Sequence, residues 1–313
     1  MKKLIRGCLK MTELKNRSEL LFLYDVTDAN PNGDPVDENK PRIDEETGVN
    51  IVTDVRLKRT IRDYLYEYKG LEVFIREIRK EDGKLKTKEE RLEEFKSNQE
   101  VIEKCIDIRL FGATTAVEGK TMALTGPVQF KYGRSLHRVD LTYIKGTTVM
   151  PSGAEKTQGT FTEKYILPYS LIAFYGIVND NLAKVQNIPL TQEDVDYMLE
   201  AMWHGTKNLI SGSKFGQVPR LLIQIVYKPD SYFYIGELNR RIKLISDIED
   251  EKIRDISQVK IDISDLAKAL EENKGKIEKI RYKVDERLRL VKDGMDTSLT
   301  QALSQLSLEE LSF

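Results

Sequence analysis

Four cations, Arg56, Lys58, Arg59 and Arg62, fall within seven residues of one segment, TDVRLKRTIRDYLYEYK (53–69). Thr53 and Asp54 are helix-opening residues, and Leu57, Ile61, Tyr64, Leu65 and Tyr68 recur on one face, so the segment reads as a helix packed by that face. The start of a helix already carries partial positive charge, so each cation there costs a few tenths to about 1 kcal/mol unless an anion answers it. A phosphate backbone answers it well, because free backbone N–H groups and basic side chains together form a phosphate site. Asp54, Asp63 and Glu67 offer the plainer alternative of a solvated, salt-bridged face.

The loop DANPNGDPVDENKPRID (28–44) delivers the chain to that helix. Asn30, Asn32 and Gly33 supply turn chemistry, Lys40 and Arg42 supply charge, and a shaped loop of this length inside a compact chain can lay backbone amides along a sugar-phosphate chain. Its carboxylates, with Asp25, Asp28, Asp34 and Asp37 as candidates, permit a rival reading as a divalent-metal site for phosphodiester cleavage, although Asp is also an ordinary turn former. A third stretch, QFKYGRSLHR (129–138), interleaves Gln129, Lys131, Arg134 and Arg138 with Phe130 and Tyr132. That mixture suits single-stranded nucleic acid, but strand alternation puts Val128, Phe130 and Tyr132 on a buried face and leaves Gln129 and Lys131 on the polar one. A fourth, SGSKFGQ (211–217), places Lys214 in a turn that can hold phosphate or simply stop a helix.

Other chemistries find little support. Cys8 and Cys105 make neither a disulfide framework nor a thiolate site, and His137 and His204 lack metal-ligand spacing. FGATTAVEGKT ends like a phosphate-binding P-loop but has Thr114 where glycine is required. No metal, cofactor or catalytic residue is therefore expected. The 50 basic and 51 acidic residues sum to a net charge of −1, which argues against a uniformly basic coat and leaves room for local patches. No run of about 18 apolar residues exists and the start lacks an apolar leader core, so a cytoplasmic protein with no membrane partner is the expectation.

The elements that must position these residues follow from periodicity. SELLFLYDV (18–26) reads as a central strand and residues 53–69 as a helix. EVFIREI (72–78) is strand-like, and two short helices open at Thr87 and Ser97. Residues 122–136 read as a strand broken at Gly126–Pro127, 139–164 as a hairpin or flap, and 164–178 as another strand. Thr191 caps a helix to about Ile210, and PRLLIQIVY (219–227) is a further strand. The order strand, helix, strand, strand, helix, strand is the ferredoxin-like, RNA-recognition pattern, an α+β antiparallel sheet carrying long insertions.

The motifs NPNGDP, PRIDEETG, TDVRLKRTIRDYL, TGPVQF and LPYSLIAFYG, in that order between about Ser18 and Tyr227, resemble a known family. It is the backbone subunit of type I CRISPR interference complexes, the repeated RNA-gripping protein of Cascade, closest to the type I-B form. The resemblance implies an RNA-recognition-like palm (18–228); it does not reach the tail, and residues 1–17 are read as an N-terminal extension and 229–313 as a C-terminal α+β extension completing the palm. Helical fingers (about 70–118) and a thumb hairpin (about 139–164) would be inserted in the palm. It implies that copies assemble head to tail along one CRISPR RNA and, with other Cascade subunits, present it for pairing with target DNA. Thr53, Lys58, Arg59 and Arg62, helped by the Asn30–Arg42 loop, would hold the guide, and Val149 and Met150 would form the thumb's apolar wedge. Related subunits of type III complexes suggest an alternative, a metal-dependent ribonuclease using an opening-loop aspartate such as Asp34.

Overall fold

The computed structural model describes residues 13–115, 121–147 and 161–313. Among them, nine strands join in one sheet: β1 (Ser18–Ala29), β2 (Val49–Val52), β3 (Val128–Phe130), β4 (Gly133–Arg138), β5 (Thr142–Thr147), β6 (Phe161–Val178), β7 (Gln217–Tyr227), β8 (Ile277–Val284) and β9 (Leu308–Glu310). Their order is β9-β8-β7-β1-β6-β4-β2, with β3 and β5 pairing other stretches of the long β6. The pairs are antiparallel except β8 with β9. β1 sits in the middle, with Phe22 opposite Phe174 on one side and Leu222 on the other.

β1 reads as an unbroken apolar run because both its faces are buried. Leu20, Phe22, Tyr24 and Val26 point into a cluster with Leu57, Ile61 and Leu65 of helix α1 (Asp54–Glu67) and with Val195, Met198 and Leu199 of the helix Gln192–Glu200. Leu21 and Leu23 point the other way, into a second cluster with Ile256, Ile261, Leu266 and Leu270. That second layer is the C-terminal part, a helix (Ser264–Glu272) and a four-stranded sheet, and it covers the sheet face opposite α1. A satellite core of Phe74, Leu92, Phe95, Val101, Ile102, Cys105, Ile108 and Met122 holds the short helices between 88 and 111. Buried apolar side chains of this kind contribute roughly 1.5–3 kcal/mol each.

Buried polar groups stitch the layers. The Glu19 carboxylate, fully buried in β1, accepts from Tyr175 and Tyr227 and from the backbone N–H groups of Ile235 and Gly236, tying the C-terminal layer to the sheet. Asp25 pairs with Arg220 at 2.9 Å, and Arg220 reaches Asp285 at 2.5 Å. Arg109 forms a two-pronged pair with Asp194, which also caps its own helix.

Three expectations need correction. Residues 72–78 form no strand: the Asp107 carboxylate accepts from Phe74 N (2.8 Å) and Ile75 N (3.1 Å), so a side chain satisfies donors that a neighbouring strand would otherwise take. The 122–136 strand breaks at Gly126–Pro127 as expected, its first part pairing with Gly112–Thr115, but its alternation does not hold. After Phe130 the alternation slips, leaving Tyr132 56% exposed while Gly133 packs on the Phe174 ring. The Thr191-capped helix passes into a π-turn at Ala201–Gly205 and ends before Ile210, which is exposed.

Candidate nucleic-acid interface

Three segments meet where β1 ends. Asn30 N donates to Ser213 O (2.9 Å), and Lys214 Nζ donates to Asn30 O (2.6 Å), so the loop after β1 and the turn before β7 are tied together. Asn32 Oδ1 accepts from both Thr53 N and Thr53 Oγ1 at 2.8 Å, which fastens the same loop to the start of α1. The loop has an internal scaffold as well. Gly33–Asp34 pairs with Lys40–Pro41, and Asn30 Nδ2 donates to Asn39 O (2.6 Å). A Cβ on Gly33 would lie 2.7 Å from the Asn39 backbone O as well as against its side chain, so any larger residue would force this turn to shift.

The cations divide sharply. Lys40 pairs with Asp37 (2.7 Å), Arg42 with Asp34 (2.6 Å), Lys58 with Asp54 (2.9 Å) and Arg59 with Asp63 (2.7 Å). Arg134 pairs with Asp44 (2.9 Å), Arg138 with Glu251 (2.9 Å) and, more loosely, Lys131 with Glu237 (3.5 Å). Arg62 lies inside the protein, its side chain 9% exposed and bonded to Asp107 at 2.9 Å. Placing it on the guide therefore conflicts with its position, because an outward turn would strand a fully buried carboxylate. Lys58 is also mostly buried, against Phe111 and Gln129.

Arg56 and Lys214 differ. Arg56 donates to Thr60 Oγ1 (3.1 Å) and Lys214 to Asn30 O, and among the described residues neither has a carboxylate in salt-bridge contact. Burial, and then the neighbouring Arg56 charge, push Lys214 down to about 8; burial also pulls Arg56 down. Two half-buried cations that repel each other raise the free energy of the empty site, and an anion beside both lowers it. Thr53 leaves its helix start without a side-chain cap, and its hydroxyl donates to Asn32 Oδ1. That hydroxyl proton is committed to the loop, so Thr53 fixes the loop against the start of α1.

The hairpin of β5 with β6 runs beside this loop, with Thr142 opposite Ile166 and Thr147 opposite Phe161. Tyr165 Oη donates to Glu38 (2.9 Å), and Lys40 Nζ lies 5.2 Å from the Tyr165 ring. Val149 and Met150 lie outside the described residues. Phe215, which sequence reasoning passed over, stands 68% exposed beside Lys214. A large aromatic in a Ser/Gly turn with no alternating partners was the available signal. Of the carboxylates weighed for metal binding, Asp25 pairs with Arg220, Asp34 with Arg42 and Val36 N, and Asp37 with Lys40, while Asp28 stands exposed near the end of β1 at a φ of +49°. Among the described residues no three His, Cys, Asp or Glu side chains converge as a metal site. His137 is buried, its Nε2 accepting from Leu171 N (3.2 Å), and burial lowers its pKa.

Comparison with known proteins places this geometry. The family model described as CRISPR-associated protein Cas7 matches residues 16–264. A protein of Haloferax volcanii described as CRISPR-associated protein Cas7 is 32% identical, with 90% of each chain covered. Two solved structures share the fold. A chain of a CRISPR RNA-guided surveillance complex has a TM-score of 0.55 and 17% identity, covering 95% of both chains. A chain of such a complex in a pre-nicking state has a TM-score of 0.56 and 13% identity, covering 95% of this chain and 96% of that one. With a family model spanning most of its length and a relative matched nearly end to end, the chain belongs to the Cas7 family of CRISPR-associated proteins.

Proposed function

We propose that this chain is the CRISPR RNA-binding backbone subunit of a type I, I-B-like, Cascade complex. It oligomerises head to tail along the guide and, with other Cascade subunits, presents it for pairing with target DNA. The observation that carries the reading is the pair Arg56 and Lys214, two half-buried cations without a carboxylate, set between a braced loop and an uncapped helix start. A phosphodiester between them removes their mutual repulsion and meets open backbone N–H groups. These contacts read no base, which suits a scaffold whose sequence choice is delegated to Watson–Crick pairing.

The palm is RNA-recognition-like in this reading, and two features support it. The four strands β7-β1-β6-β4 run in the ferredoxin-like order, and both helices that follow β1 and β6 share one face. The opposite face, which such folds use for stacking bases, lies under the C-terminal layer. The guide therefore runs past the strand ends, along the Asn30–Arg42 loop, α1 and the Lys214 turn. Residues 18–228 form the palm, about 70–118 the fingers and about 139–164 the thumb, with Val149 and Met150 as its wedge. Residues 1–17 are an extension and 229–313 complete the palm. Asn30, Asn32, Gly33 and Thr53 shape the groove. Lys40, Arg42, Lys58, Arg59, Gln129, Lys131, Arg134 and Arg138 line its approaches, and each cation among them exchanges a carboxylate for a phosphate when it contacts RNA.

The role is structural, with no catalytic residue, and the subunit acts in the cytoplasm; no helix among the described residues is long and apolar enough to cross a membrane. The test is particle size and RNA content of the purified protein. Wild type grows into a defined large particle with RNA, and Arg56→Ala with Lys214→Ala stays small and RNA-free. A double variant that still assembles on RNA refutes the reading. Mg²⁺-dependent cleavage of guide-paired RNA, abolished by Asp34→Ala, would replace it with the ribonuclease alternative.

A further inference from the structure

The other end of the sheet carries a second cluster of unanswered charge. There β1 begins, β6 and β7 end and β8 begins, so the connecting segments converge: Tyr227 N donates to Arg17 O (2.9 Å) and Lys228 N to Lys276 O (3.0 Å). Lys228, Lys274 and Lys276 are exposed, and among the described residues none is in a salt bridge. The nearby acids are Glu278, hydrogen-bonded by Asn16 (2.7 Å), Asp230, 3.9 Å from Lys184, and the exposed Glu272, two positions before Lys274. In a chain of net charge −1 whose cations are mostly paired, three free lysines at one strand end make a locally positive surface.

Two large rings stand beside them. Tyr232 is 75% exposed and Tyr234 50%, while the alternating Phe233 and Ile235 turn inward, Phe233 beneath the Lys276 ammonium at 3.6 Å. Arg17 braces the pair from below: its Nη1 donates to Tyr232 O (2.7 Å) and its guanidinium lies 6.0 Å from the Tyr234 ring centre. The rings stand outward on an irregular segment whose backbone is tied at Tyr232 to the buried Arg17. Free lysines beside outward aromatic faces match a single-stranded polynucleotide, whose phosphates and bases use both. An acidic protein segment would use the lysines alone.

We infer that this surface is a second, sequence-neutral binding site for single-stranded nucleic acid. β1 is 12 residues long, so the two sites stand roughly 40 Å apart, at about 3.4 Å per residue. One strand is held at Arg56 and Lys214, and a different strand, or a distant stretch of the same one, rests on Tyr232, Tyr234 and the three lysines.

The test uses the full chain and fluorescein-labelled dT20 and rU20, with anisotropy titrations across a salt series. Lys228→Ala/Lys274→Ala/Lys276→Ala is expected to flatten the slope of log affinity against log salt by about 2, at roughly 0.7 per phosphate contact. Tyr232→Ala/Tyr234→Ala is expected to weaken binding with the slope kept, and Tyr232→Phe/Tyr234→Phe to retain wild-type affinity, which separates stacking from misfolding. Neither the lysine nor the tyrosine variants lose co-purified guide RNA, whereas Arg56→Ala/Lys214→Ala does. Preference of this site for dT20 over rU20 or the reverse identifies DNA or RNA as its strand. An unchanged slope in the lysine variant overturns the inference. Complete loss of oligonucleotide binding in Arg56→Ala/Lys214→Ala also overturns it, as does displacement of the oligonucleotides from the tyrosine variants and wild type alike by polyglutamate.

Discussion

Replacing Lys214 by methionine should make the RNA-free protein more stable while destroying its grip on RNA. Burial and Arg56 lower the lysine from 10.5 to about 8, and at 1.36 kcal/mol per unit its charged form costs about 3 kcal/mol, trimmed by the part of the side chain that water still screens. Methionine removes that cost but leaves Asn30 O without its 2.6 Å donor, a loss of about 1–3 kcal/mol. The net gain is about 1 kcal/mol at pH 7. Its pH dependence has a definite sign. Between pH 8 and 10.5 the unfolded chain binds the Lys214 proton and the folded one does not, so wild-type stability rises with pH through that window. The variant lacks this rise, so its advantage shrinks above pH 8 and is lost by pH 10.5. Urea denaturation at pH 7, 9 and 10.5 measures it. A variant less stable than wild type at pH 7, with the same pH slope, refutes the charge argument.

The same linkage predicts RNA affinity. A phosphate beside Lys214 restores its proton, so binding takes up a proton above pH 8 and wild-type affinity falls about ten-fold from pH 7 to pH 9. Lys214→Arg keeps a permanent charge and should show a flat profile over that range. Equal pH dependence in both proteins would place the phosphate elsewhere.

Arg62→Ala leaves the buried Asp107 carboxylate without its cation and should cost about 3–5 kcal/mol in urea denaturation, with RNA affinity per folded molecule unchanged. Asn32→Ala deletes the acceptor for Thr53 N and Oγ1; a stability loss of about 1–2 kcal/mol and faster RNA dissociation are expected, measurable by competition with unlabelled RNA. Gly216→Ala sets a Cβ 2.3 Å from Thr27 O at a φ of +112°, and should cost at least the 1–3 kcal/mol typical of backbone strain. Gly275→Ala, which meets open space, should stay within about 0.5 kcal/mol in the same melting assay.

What was legible in the sequence was what local spacing encodes. α1 showed itself through Thr53, Asp54 and the Leu57–Ile61–Tyr64–Leu65 stripe, and its partners Asp54 and Asp63 at i±4 were visible as competitors for Lys58 and Arg59. The capping box at Thr87 and Glu90 formed as spaced; at Ser97 only half formed, because Glu100 accepts from Lys96 N instead. What failed was long-range. Asp107 is 45 positions from Arg62 and Asp44 is 90 from Arg134, so no periodicity announces that these arginines are answered. The strand-like 72–78 failed for the same reason, since its β-forming residues are organised by that distant Asp107 carboxylate. Tyr132 was misassigned because a backbone kink shifts alternation by one residue, and a single shift reverses the face.

The covered sheet explains why a nucleic-acid site on this fold should hold backbone rather than read bases. An open antiparallel sheet presents flat aromatic rings on one face at fixed spacings, about 7 Å along a strand and about 4.8 Å between strands, a surface on which bases stack and show their edges. Here Tyr169, Tyr175 and Tyr227, which would furnish such rings, point under the C-terminal layer, and the hydroxyls of all three are bonded to the buried carboxylates of Asp25 and Glu19. Removing that layer would strip Glu19 of its Ile235 and Gly236 N–H donors and expose the apolar side chains of the second cluster, so the face stays closed. What remains for a ligand is the rim, where loops and helix starts offer N–H groups and cations without flat rings in register. Phosphates satisfy such a rim regardless of the base attached, and the bases, left unread, stay available to pair with another strand. On this chain the C-terminal layer therefore closes the sheet face on which bases could stack, as well as contributing to stability.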